Sequence, residues 1–247
     1  MSAPPSLAKA GPFTATLAAR KTLGAGVVDL EFTMRNPTSL PFQAGQFVSL
    51  AIAESAAGVT PPRRSYSIAS PSDAGSRLRF IVRAIPEGAA TDFLLNLPVG
   101  SEVRMTGPHG FFVLDQHHAG DIVFGATGTG LAAVLPMLNE LGQRPAEGKR
   151  LLFWGARHEA DLFTRGDVEA LCARTGIDLR ILLSAPPPDW SGGRGRITQA
   201  IVELLPGLRE PTFYLVGNGA MIMDVKRELV ARGVDRKRQI RTEAFFD

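Results

Sequence analysis

The chain has 247 residues, 45% of them hydrophobic and 21% charged, which is the balance of one large or two ordinary globular domains and excludes a disordered chain. A net charge of +3 is mild and spread out, and no aromatic-interleaved basic stripe or nucleic-acid module accompanies it, so nucleic acid is not an expected partner. The single cysteine, Cys172, excludes an intrachain disulfide and excludes a cysteine-ligated iron–sulfur cluster supplied by this chain alone, since such clusters want four thiolates.

Residues 1–12 hold one lysine and no apolar core segment. They read as neither a signal peptide nor an anchor. No apolar run approaches the roughly 20 residues of a membrane helix, so a cytoplasmic protein without a membrane span is expected. From Phe13 to His118 short alternating segments recur, such as Val27-Val28-Asp29-Leu30-Glu31-Phe32, Gln46-Phe47-Val48-Ser49-Leu50 and Leu78-Arg79-Phe80-Ile81-Val82-Arg83. Glycines and prolines punctuate them, which predicts antiparallel strands closed into a small barrel. No metal site is expected.

Within this region, Pro61-Pro62-Arg63-Arg64-Ser65-Tyr66-Ser67-Ile68-Ala69-Ser70 has the period of a strand. It offers a guanidinium, an aromatic ring and a hydroxyl close together. A forked permanent cation suits a pyrophosphate, a tyrosine suits a flat ring, and a small hydroxyl can donate to a ring nitrogen. Gly88-Ala89-Ala90-Thr91 then leads into a helix over residues 92–97, where backbone N–H groups and the Thr91 hydroxyl could receive an anion. His109, in Gly107-Pro108-His109-Gly110-Phe111, is expected in solvent.

After Gly120 the period changes. Apolar runs at residues 121–126, 151–155, 179–184 and 213–217 lack alternation and are separated by helical stretches at 131–141, 159–174, 197–205 and 220–232. Such strands are covered on both faces, which predicts a doubly wound parallel sheet with its ligand at the carboxyl ends of the strands. Two domains follow, residues 11–118 and 119–247. At those strand ends stand Gly128-Thr129-Gly130, Trp154-Gly155-Ala156-Arg157, Ser184, Gly195-Arg196 and Gly217-Asn218-Gly219-Ala220-Met221. Near the carboxyl terminus Arg232, Arg236, Lys237, Arg238 and Arg241 form the one dense basic cluster, a solvated helix end or a site for an acidic protein.

Arg64-Ser65-Tyr66-Ser67 resembles the Arg-x-Tyr-Ser signature of the ferredoxin-NADP+ reductase family of FAD enzymes. Further pieces resemble that family in the same order: Gly107-Pro108-x-Gly110-x-Phe, Gly128-Thr129-Gly130-Leu131-Ala132 with Ala133 in place of the usual proline, and the Gly217-to-Met221 segment with Val216 in place of a cysteine. Thr242-Glu243-Ala244-Phe245 resembles the family's carboxy-terminal glutamate and covering aromatic, Phe245 standing for the usual tyrosine. The resemblance implies a β-barrel FAD domain followed by an NAD(P) domain, with FAD and NADP or NAD as cofactors. It implies that Arg64, Ser65, Tyr66, Ser67, Gly88, Ala90 and Thr91 hold FAD. It further implies that Thr129, Gly130, Arg157, Ser184, Arg196, Gly217, Asn218 and Met221 line the nicotinamide cofactor, and that Phe245 covers the flavin. Ser67 and Glu243 are the expected catalytic pair. Ferredoxin or flavodoxin, small acidic electron carriers, are the implied partners.

Three other readings stay open. The same two domains serve reductase components of oxygenase systems and free-flavin reductases. A scaffold subunit of an electron-transfer complex could keep the fold without the chemistry, Val216 being a symptom. A short-chain dehydrogenase is disfavoured, because Tyr66 and Tyr214 lack a lysine four residues on.

Overall fold

The computed structural model describes residues 9–24, 26–53, 61–116 and 118–245. The amino-terminal stretch before residue 9 and the last two residues, Phe246 and Asp247, lie outside it. The chain folds as two compact units, the first made mainly of residues up to Leu114 and the second mainly of residues from Asp115 onward.

The first unit is a six-stranded antiparallel sheet in the order β4-β3-β6-β1-β2-β5, formed by β1 (Gly11–Gly24), β2 (Val27–Asn36), β3 (Phe47–Ala51), β4 (Arg63–Ser67), β5 (Arg77–Arg83) and β6 (Glu102–His109). Alternation drives it: along β2, Leu30, Phe32 and Met34 are buried while Asp29, Glu31 and Thr33 point outward, as the two-residue strand period requires. The two ends of the order are tied together, because the Ala69 amide donates to the Arg79 carbonyl at 2.8 Å and the Ser70 hydroxyl bonds the backbone of Arg77 and Arg79. The sheet is therefore closed into the expected barrel, which removes its open edges. Ile68 still bonds the Gln46 carbonyl beside β3, and Ala69 and Ser70 then turn away to make that seam, so β4 is shorter than the period of its sequence predicts. Inside, Phe32 and Phe80 meet edge to face with centroids 5.7 Å apart and no exposure. The helix α1 (Ala89–Asn96) begins three residues earlier than predicted, since Gly88 accepts the Asp92 amide and starts the first turn.

The second unit is a six-stranded parallel sheet in the order β10-β9-β8-β7-β11-β12. Its strands are β7 (Ile122–Thr127), β8 (Arg150–Ala156), β9 (Asp178–Leu183), β10 (Gly193–Arg194), β11 (Thr212–Asn218) and β12 (Ile240–Phe245). Helices α2 (Leu131–Gly142), α3 (Arg165–Thr175), α4 (Ile197–Leu204) and α5 (Gly219–Ala231) connect them. The order runs outward from β7 in one direction and then reverses to β11 and β12, the doubly wound pattern. The predicted helix over residues 159–174 is divided: Glu159–Asp161 is a single 3₁₀ turn and Thr164 takes a left-handed φ of 54° before α3 begins. The break turns the consecutive residues Leu162 and Phe163 inward, and Phe163 packs edge-on against Trp154.

Replacing Phe80 with alanine should cost about 3 to 5 kcal/mol, the range for a large aromatic removed from a core without collapse of the site. Urea unfolding followed by circular dichroism should show the midpoint falling; an unchanged midpoint would mean that the Phe32–Phe80 contact does not hold the barrel.

Candidate cofactor sites

Adjacent residues of a strand face opposite ways, and β4 uses this to divide two neighbouring arginines. Arg63 is folded onto the barrel, donating to the Ser49 carbonyl, to the Ser49 hydroxyl at 3.2 Å and to the Thr106 hydroxyl at 3.3 Å. Arg64 faces solvent, and among the described residues its guanidinium reaches only the Arg63 carbonyl, at 2.9 Å. No ion pair among the described residues uses Arg64. Of the two cations, Arg64 is thus the one available to an anion. Tyr66 lies half-buried against the barrel core. Burial pushes its phenol up from the ordinary tyrosine range, with the nearby Arg64 guanidinium opposing the shift, so it stays neutral at physiological pH. Ser67 is buried at 6% exposure and pairs with Phe47 of β3 in the ladder, while Ser65 is exposed opposite Ser49.

The loop before α1 is built differently from the expectation for its threonine. Thr91 is buried, and its hydroxyl accepts the Ile85 amide at 2.9 Å, which closes the loop on itself. Gly88 begins the helix without a side-chain cap, with Ala90 in the first turn, and a Cβ at Gly88 would stand 3.0 Å from the Ile85 carbonyl. The backbone amides of this turn are therefore the groups left to meet an anion. An exposed guanidinium, a half-buried ring and an uncapped helix start fit the pyrophosphate and planar ring of FAD in the chemistry of their donors. His109 departs from its expected exposure: its ring is half-buried, tilted on Phe47 at 5.5 Å, with Nε2 3.3 Å from the Thr106 hydroxyl.

In the second unit the reversal between β7 and β11 brings two loops into backbone contact. A Cβ on Gly130 would lie 2.8 Å from the Gly217 Cα, and one on Gly217, whose φ is +114°, would lie 2.4 Å from the Thr127 carbonyl. Only glycine allows this approach. Thr129 sits in the 3₁₀ turn of residues 128–130 that opens α2, and Asn218 caps α5 by accepting the Met221 amide at 3.1 Å. The loops after β8 and β9 are laced together: the Ser184 amide donates to Ala156 at 3.0 Å and the Ala185 amide to Arg157 at 2.9 Å. Gly195 joins them through Leu183 at 2.8 Å. Arg157, Ser184 and Arg196 all project from this seam into solvent. Arg194 does not share that freedom, because its guanidinium holds the carbonyls of Pro187, Pro188 and Trp190.

On the far side of the switch point, Val216 is fully buried and pairs with Ala126 and with Glu243. No thiol stands there; Cys172 is buried in α3, and burial pushes it up to about 11. Glu243 is half-buried, and Phe245 pairs with Asn218 at the end of β12. The basic cluster lies at the opposite end of the sheet, where β12 starts. There Arg232 pairs with Glu228 and Arg241 folds onto the carbonyls of Lys237 and Arg238. It stands apart from the strand ends that would receive a nucleotide.

The two units correspond to two domain families: residues 14–114 match the oxidoreductase FAD-binding domain and residues 124–227 the oxidoreductase NAD-binding domain. The chain is 34% identical to ferredoxin–NADP reductase B of Sorangium cellulosum over 232 residues, covering 91% of this chain and 93% of that one. The chain belongs to the ferredoxin-NADP+ reductase family. It is an FAD- and NAD(P)-binding oxidoreductase. It is also 32% identical over 84% of its length to the reductase component of phenol 2-monooxygenase of Pseudomonas sp., of which it spans only 58%. Among solved structures, the cytochrome P450 reductase GcoB of Amycolatopsis superposes with a TM-score of 0.83 at 30% identity, covering 96% of this chain and 70% of that one. The Neisseria gonorrhoeae ferredoxin NADP+ reductase with bound FAD and NADP shares the fold, with a TM-score of 0.80 at 21% identity over 95% of this chain and 99% of that one. Among the described residues no helix is long and apolar enough to cross a membrane.

Sequence reasoning passed over two residues. Arg63 stands immediately before the signature and is spent on the barrel, a difference that the strand period could have shown. Thr127 carries no motif of its own and is marked only by its place at the end of an apolar run.

The division of labour in β4 predicts that Arg64→Ala folds normally and loses FAD, with affinity falling about ten- to a hundredfold, as for one charged hydrogen bond. Arg63→Ala should instead lower the thermal midpoint. Flavin absorbance of the purified variants measures the first effect, and full flavin content in Arg64→Ala would remove this arginine from the site.

Proposed function

We propose that this flavoenzyme takes a hydride from NADPH and passes electrons singly to a small acidic carrier, ferredoxin or flavodoxin, in the cytoplasm. FAD, when bound, supplies the conversion between two-electron and one-electron chemistry. Residues 11–118 would form the FAD domain and residues 119–247 the NAD(P) domain. Arg64, with the helix-start amides around Gly88 and Ala90, neutralises the pyrophosphate. Thr91 acts from behind by holding the loop closed. Tyr66 offers its flat face to the ring, flanked by Ser65. Ser67 places a hydroxyl beside the reacting edge, and Glu243 orients the ring or moves protons. Phe245 would cover the planar ring when FAD is bound. Thr129 and Gly130 receive the cofactor's phosphates at the start of α2, and the Gly217–Asn218 turn, with Met221, lies beside the nicotinamide. The observation that carries this reading is Arg64: an exposed guanidinium with no anionic partner among the described residues, two residues from a half-buried tyrosine, on a barrel that precedes a doubly wound sheet.

The laced loops support NADPH as the donor. A 2'-phosphate wants cations at the strand ends, and Arg157 and Arg196 stand there beside Ser184, with no side-chain hydrogen bond or ion pair among the described residues. Ala185, where NADPH-using relatives often carry arginine, pulls toward NADH. The 34% identical relative is by name an NADP reductase, which supports the first choice. The oxygenase-reductase names among the other relatives favour a second reading, in which the electrons go to an oxygenase system. The single cysteine places any cysteine-ligated cluster outside these 247 residues.

Anaerobic titration of the yellow protein with each nucleotide tests the whole proposal. NADPH should bleach the flavin at lower concentration than NADH, and added ferredoxin or flavodoxin should restore the colour. Arg196→Ala should raise KM for NADPH about tenfold and leave that for NADH near its original value, as expected for one charged contact to the 2'-phosphate. Equal effects on both nucleotides would place Arg196 elsewhere, and a colourless protein that ignores added FAD would point to the scaffold.

A further inference from the structure

Thr127 ends β7 at the point where the strand order reverses, and its two branches serve different neighbours. The hydroxyl accepts the Asn218 amide at 3.0 Å. It also fills the space left by the missing side chain of Gly217, where a Cβ would come within 2.5 Å of Oγ1. The methyl shares with Ile197 the space at Gly155, the residue paired with Thr127 on β8, where a Cβ would come within 3.2 Å of the threonine Cγ2 and 3.0 Å of the Ile197 side chain. Glycine on both adjoining strands thus makes room for one branched side chain. Asn218 carries the connection onward, since its side chain accepts the Met221 amide and caps α5. The backbone of Gly217, at φ +114°, has no side chain of its own with which to fix the turn.

We infer that Thr127 is a positioning residue, whose hydroxyl holds the Gly217–Asn218 turn at the angle that aligns the nicotinamide for hydride transfer. This rests on the reading that the cofactor lies over these strand ends. The alignment acts on the hydride step more than on binding, because the phosphates and adenosine are held by other residues.

Thr127→Val keeps the shape and removes the acceptor, and Thr127→Ser keeps the acceptor and removes the methyl. In Thr127→Val the Asn218 amide should exchange with deuterium about tenfold faster by NMR, the loss of one hydrogen bond, while Thr127→Ser stays near wild type. In rapid mixing with NADPH, Thr127→Val should reduce the flavin about tenfold more slowly at saturation with KM changed less than about threefold, and Thr127→Ser should recover the rate. Unchanged Asn218 exchange in Thr127→Val would overturn the inference, as would a serine variant as slow as the valine one. If neither nucleotide reduces the wild type, the functional reading fails and the catalytic role falls with it; the exchange rates then still decide whether Thr127 holds the turn.

Discussion

The approach of two backbones where β7 and β11 run side by side is the constraint on which the second unit depends. Their following loops diverge to α2 and α5, yet begin in contact, with Gly130 against Gly217. A side chain on either residue would separate the loops and with them the starts of two helices. One steric requirement therefore packs the sheet and sets where two helices begin.

The barrel meets a different requirement, because a strand must give each residue to one face or the other. In β4 this assigns Arg63 to structure and Arg64 to solvent, although the two are chemically identical. It also brings Tyr66 against the core beside Arg64, so that a cation and a neutral ring share one neighbourhood. Closure of the barrel through Ala69 and Ser70 holds the residues just after the signature, which keeps Ser67 buried at the end of its strand.

The arginines of the second unit are sorted by the same principle. Arg194 donates to three carbonyls and organises its loop, and Arg150 does likewise toward Leu141, Arg144 and Pro145. Each satisfies backbone oxygens that helices and strands leave unpaired. Arg157 and Arg196 have no such task among the described residues and project from the seam of three strand ends. The basic cluster at the end of α5 is dense in sequence but lies at the amino ends of the strands, with Arg232 and Arg241 already engaged. Charge density alone misplaces the interesting cations; engagement with the backbone separates them.

Hydrophobic period was enough to read the barrel and the parallel sheet from the sequence, because alternation and continuous apolar runs are direct consequences of which faces are buried. The family was legible too, since its motifs occur in the chain in the family's order. Tertiary structure alone decided what each candidate's polar atoms touch. The inward turn of Thr91 to Ile85, the half-buried His109 on Phe47, the left-handed Thr164 that shortens α3, and the reach of Thr127 across to Asn218 all depend on partners distant in the chain or on local packing. A sequence displays the period of burial along one strand, but a hydrogen bond between residues 127 and 218 exists only once the sheet has placed their strands side by side.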